Sequence, residues 1–161
     1  MHFKEFSFMV LVIDSQVAGV SGDMLLCGLV NIGANRSKII DGIHSAESFC
    51  KDVRVKKIDF IEVKKNSLQA TELLLDVDDD TRERKGMEIK EIIEKSLEKL
   101  QITEKAKTFA IKSIETLIRA ESKIHGEPEN SVHFHEAASF DTIVDILGTA
   151  IALDDLGCFD E

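Results

Sequence analysis

From Phe140 to Leu156 the chain reads Phe-Asp-Thr-Ile-Val-Asp-Ile-Leu-Gly-Thr-Ala-Ile-Ala-Leu-Asp-Asp-Leu, and no other stretch restricts the fold as much. Phe140, Ile143, Val144, Leu147, Ala150 and Ile151 follow the i, i+3, i+4, i+7 template of a helix. Ile146, Leu153 and Leu156 make most of the remaining surface apolar, so this helix has to be enclosed by other elements. Ser139 stands at its expected N-cap. The exception is one narrow polar stripe, Asp141, Asp145, Gly148 and Thr149. Like charges one turn apart destabilise an exposed helix by roughly 0.2 to 0.5 kcal/mol, and burying unpaired carboxylates costs far more. The pattern therefore asks for something positive beside Asp141 and Asp145, either an Arg or Lys from elsewhere or a metal ion.

The segment leading into this helix supplies metal-binding side chains. In Ser131-Val132-His133-Phe134-His135-Glu136, an extended backbone turns residues two apart to the same side. His133 and His135 then present both imidazoles together while Phe134 packs opposite. With Glu136, Asp141 and Asp145 they form a candidate set for a divalent metal. The spacing matches no zinc-finger pattern, so it does not name the ion.

Near the other end, Phe8-Met9-Val10-Leu11-Val12-Ile13 is a continuous apolar run that reads as a core strand ending at Asp14. A glycine-bearing turn follows, then an apolar helix from Gly22, with Ser21 as N-cap and Gly33 just past its end. Such a turn can offer backbone N–H groups to an anion, although there is neither a Walker lysine nor a full GxGxxG. Asp14, Gly19, Ser21, Gly22 and Asp23 form a candidate substrate and phosphate site, in which the two aspartates would hold a cation against a substrate phosphate. A carboxylate in a helix's first turn is also ordinary without any such role.

Between these ends, residues 35–52 read as a helix with Ile39, Ile40, Ile43, Ala46 and Phe49 on one face and His44 off it. Val53 to Val63 reads as a strand whose alternation slips near Lys57, antiparallel to a second strand over Thr71 to Val77. Asp78 to Gly86 reads as a solvated charged connection. Two amphipathic helices follow. One carries Ile89, Ile92, Ile93, Leu97 and Leu100 inward; the other starts at Thr103, carries Ala106, Phe109, Ala110, Ile114, Leu117, Ile118 and Ile124 inward, and ends near His125-Gly126. His125 is explained by the helix dipole alone.

The expected architecture is a single α+β domain over residues 1–161, with a small mixed or antiparallel sheet of about three strands against about five helices. A net charge of −10 argues against nucleic-acid binding, which needs a basic footprint. The longest apolar run falls far short of the roughly 20 residues that span a bilayer. Cys27, Cys50 and Cys158 lack CxxC spacing and sit among apolar residues, which suits free buried thiols in the cytoplasm.

The stretch VHFHEAASFDTIVDILGTAIALDDLG closely resembles a signature of the nickel-insertion proteins that mature the lactate racemase cofactor. A second match lies in Asp14, Gly19, Ser21, Gly22, Asp23 and Met24, and together the likeness covers nearly the whole chain. The turn Ser-Gln-Val-Ala departs from the shorter Cys-Phe-Ser of many bacterial members. Many members are also histidine-rich after the second strand, whereas this chain has no histidine between His44 and His125. The resemblance implies a CTP-dependent cyclometallase that installs nickel into a pyridinium bis-thiocarboxylate mononucleotide, with Mn2+ or Mg2+ accompanying CTP. It also implies that residues 1–161 are the N-terminal, metal- and substrate-binding portion of a longer architecture. The C-terminal nucleotide-handling region would come from a separate half, or the chain would work as a homo-oligomer. The competing classes are a non-catalytic metal-binding or interaction domain and a metal-assisted phosphohydrolase holding paired cations about 3.5 to 4 Å apart.

Overall fold

The computed structural model describes residues 10–16, 19–79, 81, 83–135 and 139–159. In chain order the elements are α1 (Gly22–Asn31), α2 (Arg36–Glu47), β1 (Val53–Lys65), β2 (Leu68–Asp79), β3 (Arg84–Lys85), α3 (Gly86–Lys99), α4 (Glu104–His125), β4 (His133–Phe134) and α5 (Phe140–Asp155). The fold is α+β, with five helices and two small antiparallel ribbons, β1–β2 and β3–β4.

The apolar helix is the centre of the molecule. α5 packs against α1, α2 and α4, and Ile143, Leu147 and Ala150 have no exposed surface. Each fully buried Ile, Leu or Phe stabilises the fold by about 1.5 to 3 kcal/mol, so enclosing this helix is the main driving force for assembly. α3 and α4 bury Ile89, Ile93 and Leu97 on one side and Ala106, Ala110, Ile114 and Ile118 on the other, at the expected helical spacing. Their caps also follow the sequence, since Thr103 accepts from the Ala106 N–H, as Asn35 does from Lys38 at the start of α2. Gly33 takes φ 122° just past α1.

β1 and β2 pair antiparallel along their whole length to form the long ribbon, and its register shifts between Val55 and Lys57, at the expected bulge. Phe60 is the side chain most deeply seated on its inner face.

Five sequence expectations are corrected. Phe8 and Met9 lie outside the described residues, but Val10 to Ile13 form no strand, and Val10 and Val12 are 82% and 79% exposed. An apolar run cannot be a strand without a neighbour for its N–H and C=O groups, and the ribbon does not extend to it. The helix placed over 35–52 stops at Glu47, because the chain turns at Ser48 and Phe49 to enter β1. Ile124 is 74% exposed at the end of α4, beyond the reach of the core. Cys158 is exposed, while Cys27 is buried and Cys50 half-buried. Burial pushes the Cys50 thiol up to about 11, which leaves it protonated and unreactive at neutral pH.

The charged connection is also not a solvated one. Arg84 is 5% exposed and donates from Nη1 and Nη2 to both carboxylate oxygens of Asp79, at 2.9 and 2.8 Å, and from Nη2 to Thr81 Oγ1. A buried guanidinium is tolerable when a carboxylate meets it with two parallel bonds. Asp79 Oδ2 also accepts the Phe140 N–H at 2.9 Å, so the end of β2 caps α5. Ser139 stands at the N-cap but makes no side-chain capping bond.

Candidate functional site

Asp23 of α1 and Asp141 and Asp145 of α5 line one cleft of about 320 Å³, walled by Leu73 and Leu75 of β2 and by Val144. Asp141 and Asp145 share a helix face because they are one turn apart. Asp23 joins them because α1 crosses α5 with Gly22 pressed against Asp145. A Cβ built on Gly22 would stand 2.2 Å from Asp145 Cγ and 2.5 Å from its Cβ. Only hydrogen fits there. Gly22→Ala is therefore expected to force α1 and α5 apart, at a cost of about 1 to 3 kcal/mol for overpacking, read as a lower denaturant midpoint.

The cleft is electrostatically unbalanced. Asp145 is pushed up to about 6, first by burial and then by Asp23 and Asp141. Burial, followed by Asp79 and Asp23, likewise raises Asp141. No Lys or Arg makes an ion pair with Asp141 or Asp145 among the described residues. Asp23 accepts from the Ser21 hydroxyl and, at 2.8 Å, from the Met24 N–H, both on Oδ1. The donors facing the cleft are all carboxylate oxygens, the set that hard divalent cations prefer.

The other sequence-predicted residues are placed as follows. Asp14 closes its own turn by accepting the Gln16 N–H at 2.9 Å, and the Gly19 N–H donates to Ser15 O. His133 is half-buried in β4 opposite Lys85, with Phe134 buried beside it. His135 faces the end of α4, where its ring meets that of His125 edge-on at 5.7 Å between centroids. Glu136 lies outside the described residues. Among the described residues, no three His, Cys, Asp or Glu side chains converge closely enough to hold an ion as they stand.

The residues that sequence reasoning passed over are Asp79 and Arg84, which fix the start of α5, and His125, which stands against His135. Only the five-residue spacing of an Asp and an Arg within a charged run hinted at the first two. The third stands near His135 in sequence, but only the turn taken between α4 and β4 brings the two rings together.

The two motifs of the sequence thus meet in an acidic cleft on the central helix of an α+β domain. The model of the nickel insertion protein family matches residues 11–160. A putative nickel insertion protein of Methanopyrus kandleri is 32% identical over 148 residues, covering 92% of this chain and 35% of that protein. A pyridinium-3,5-bisthiocarboxylic acid mononucleotide nickel insertion protein of Staphylococcus epidermidis is 37% identical over 142 residues, covering 87% of this chain and 33% of that protein. This chain belongs to the nickel insertion protein family, and it spans about a third of the length of these relatives. No solved structure matches it.

Proposed function

We propose that this chain is the metal- and substrate-binding portion of a protein that installs nickel into a pyridinium bis-thiocarboxylate mononucleotide. The observation that carries this reading is the meeting of the two motifs at Gly22 and Asp145, which builds an acidic cleft from distant parts of the sequence. The donor types suggest a division of labour. Asp23, Asp141 and Asp145 suit Mg2+ or Mn2+ bridging to the substrate's phosphate, and Asp14, Gly19, Ser21 and Gly22 precede Asp23 in the same motif. His133 and His135, on the segment that leads through Glu136 into α5, suit Ni2+, for which imidazole is a good donor. Nickel is cargo here, and a nitrogen site with few protein ligands lets it pass to the softer sulfurs of the substrate. CTP, with its Mn2+ or Mg2+, would be handled by a C-terminal region or a separate half, in the cytoplasm.

Calorimetric titration tests the reading. The chain is expected to bind the mononucleotide in the presence of Mg2+ and to lose that binding in Asp141→Asn with Asp145→Asn. The double variant His133→Ala with His135→Ala is expected to lose Ni2+ while keeping the mononucleotide. Mononucleotide binding that is indifferent to both aspartates would remove the cleft from the proposal. Release of phosphate from simple esters with Mg2+ would replace it with a phosphohydrolase.

A further inference from the structure

The connection from α4 to β4 turns back on itself, so that His125, the last residue of α4, and His135, just past β4, stand together, with Glu121 of α4 and Glu83 beside them and none of the four among the residues that line the acidic cleft. The His125 and His135 rings stand edge-on with centroids 5.7 Å apart. Imidazoles that share one ion at metal–nitrogen distances of about 2.0 to 2.1 Å place their centres roughly 5 Å apart, so a small rotation of exposed rings closes the gap. Each ring has a carboxylate at one nitrogen. Glu121 Oε2 lies 3.2 Å from His125 Nε2, and Glu83 Oε2 lies 3.9 Å from His135 Nδ1. A carboxylate close to one ring nitrogen, as Glu121 is to His125, favours a fixed tautomer and strengthens the imidazole as a metal donor, while Glu83 stands at ion-pair distance from His135.

The surroundings favour a cation that comes and goes. His125 is the last residue of α4, where unpaired carbonyls give the helix its negative end, and Gly126 turns the chain aside with φ 67°. The side chains of His125 and His135 are 38% and 59% exposed, so an ion reaches them from solvent.

We infer that His125 and His135, with Glu121 beside the first ring and Glu83 at ion-pair distance from the second, form a two-imidazole docking site for a borderline divalent transition metal, taken here as Ni2+, at the carboxyl end of α4. With only two protein ligands, water or an incoming ligand fills the remaining positions, and the ion is held weakly enough to be handed on. The choice of nickel rests on the proposed function; the site itself rests on the histidine pair.

The test is titration of the full chain with NiCl2 alone, with far-UV circular dichroism of each variant as a folding control. His125→Ala is expected to weaken Ni2+ binding by about tenfold or more, and Glu121→Gln by about tenfold through loss of the orienting carboxylate. His44→Ala, an exposed histidine paired with Glu47 on α2, is expected to bind as the parent does. In proton NMR, paramagnetic Ni2+ should broaden the His125 and His135 imidazole signals first. Unchanged affinity in folded His125→Ala, or no Ni2+ binding by the parent chain, overturns the inference. If His125→Ala binds normally while the His133→Ala, His135→Ala variant does not, this site fails and the proposed function stands. If Ni2+ binding needs His125 but the mononucleotide does not bind, the site stands and the proposed function fails.

Discussion

Asp79→Ala is expected to cost roughly 3 to 5 kcal/mol, because removing one partner of a buried ion pair leaves the other charge uncompensated. Domains of this kind have about 5 to 15 kcal/mol in total, so urea or thermal denaturation should show a large fall in midpoint. Asp79 receives both guanidinium bonds of Arg84, the Thr81 N–H at 3.1 Å and the Phe140 N–H, and thereby ties β2, β3 and the start of α5 together. Burial pulls its carboxyl upward, yet the bonds from Arg84, Thr81 and Phe140 outweigh that and hold it below the usual range. A carboxyl with a lowered native pKa binds protons more readily when unfolded. Its stabilisation is therefore complete above the unfolded value of 3.8 and is lost as pH falls below it. The pair-replacing variant Asp79→Leu with Arg84→Met should recover most of the loss, since buried ion pairs are often replaceable by apolar side chains of similar size. It should not recover all of it. The Phe140 N–H stays without a cap, which costs about 0.5 to 2 kcal/mol. A single Asp79→Ala variant within about 1 kcal/mol of the parent would show that the ion pair is not what holds α5 in place.

The contrast between what the sequence revealed and what it hid follows from the range of the interactions. α5 was legible because its neighbours in space are also its neighbours in helical periodicity: Ile143, Leu147 and Ala150 are buried at the spacing that marks them. The ribbon was legible down to its bulge, since alternation lost at Lys57 is a local signal. Val10 to Ile13 were misread because apolarity says where a side chain prefers to be and not whether a strand is available to pair with. Arg84 was misread because a charge in a charged run normally stays in water, and only its two-pronged partner makes burial tolerable. In the cleft, spacing alone put Asp141 and Asp145 on one face. The approach of Asp23 depended on α1 crossing at Gly22, which no periodicity encodes. The His125 and His135 contact depends in the same way on where α4 ends relative to β4.

The second large effect is one of opposite sign: at neutral pH, Asp145→Asn is expected to stabilise the metal-free protein. Asp145 is raised from 3.8 to about 6 by burial and by the charges of Asp23 and Asp141. A carboxyl whose native pKa is raised binds protons more tightly in the folded state, so stability falls as pH rises from about 4 to about 6 and the full penalty applies above that. Two pKa units correspond to nearly 3 kcal/mol, but the carboxyl lies in an open cleft where water screens its neighbours, and about 1 kcal/mol is the effect expected. Asparagine keeps the shape and removes the charge. Denaturation curves of the two proteins should therefore coincide near pH 4 and separate by pH 7, with the variant the more stable. Mg2+ or Mn2+ should reverse that order. A cation at 100 times its Kd stabilises the form that binds it by about 2.7 kcal/mol, and Asp145→Asn removes one of three carboxylates that would attract it. The parent protein then becomes the more stable of the two at neutral pH. Identical pH profiles would mean that Asp145 is relieved by some other group, and a metal response equal in both proteins would mean that the cation binds elsewhere. Either result would separate the strain at Asp145 from ligand binding, whereas the expected crossing ties them: a cleft that is unfavourable when empty and becomes favourable when a cation enters is selective for the charge it lacks.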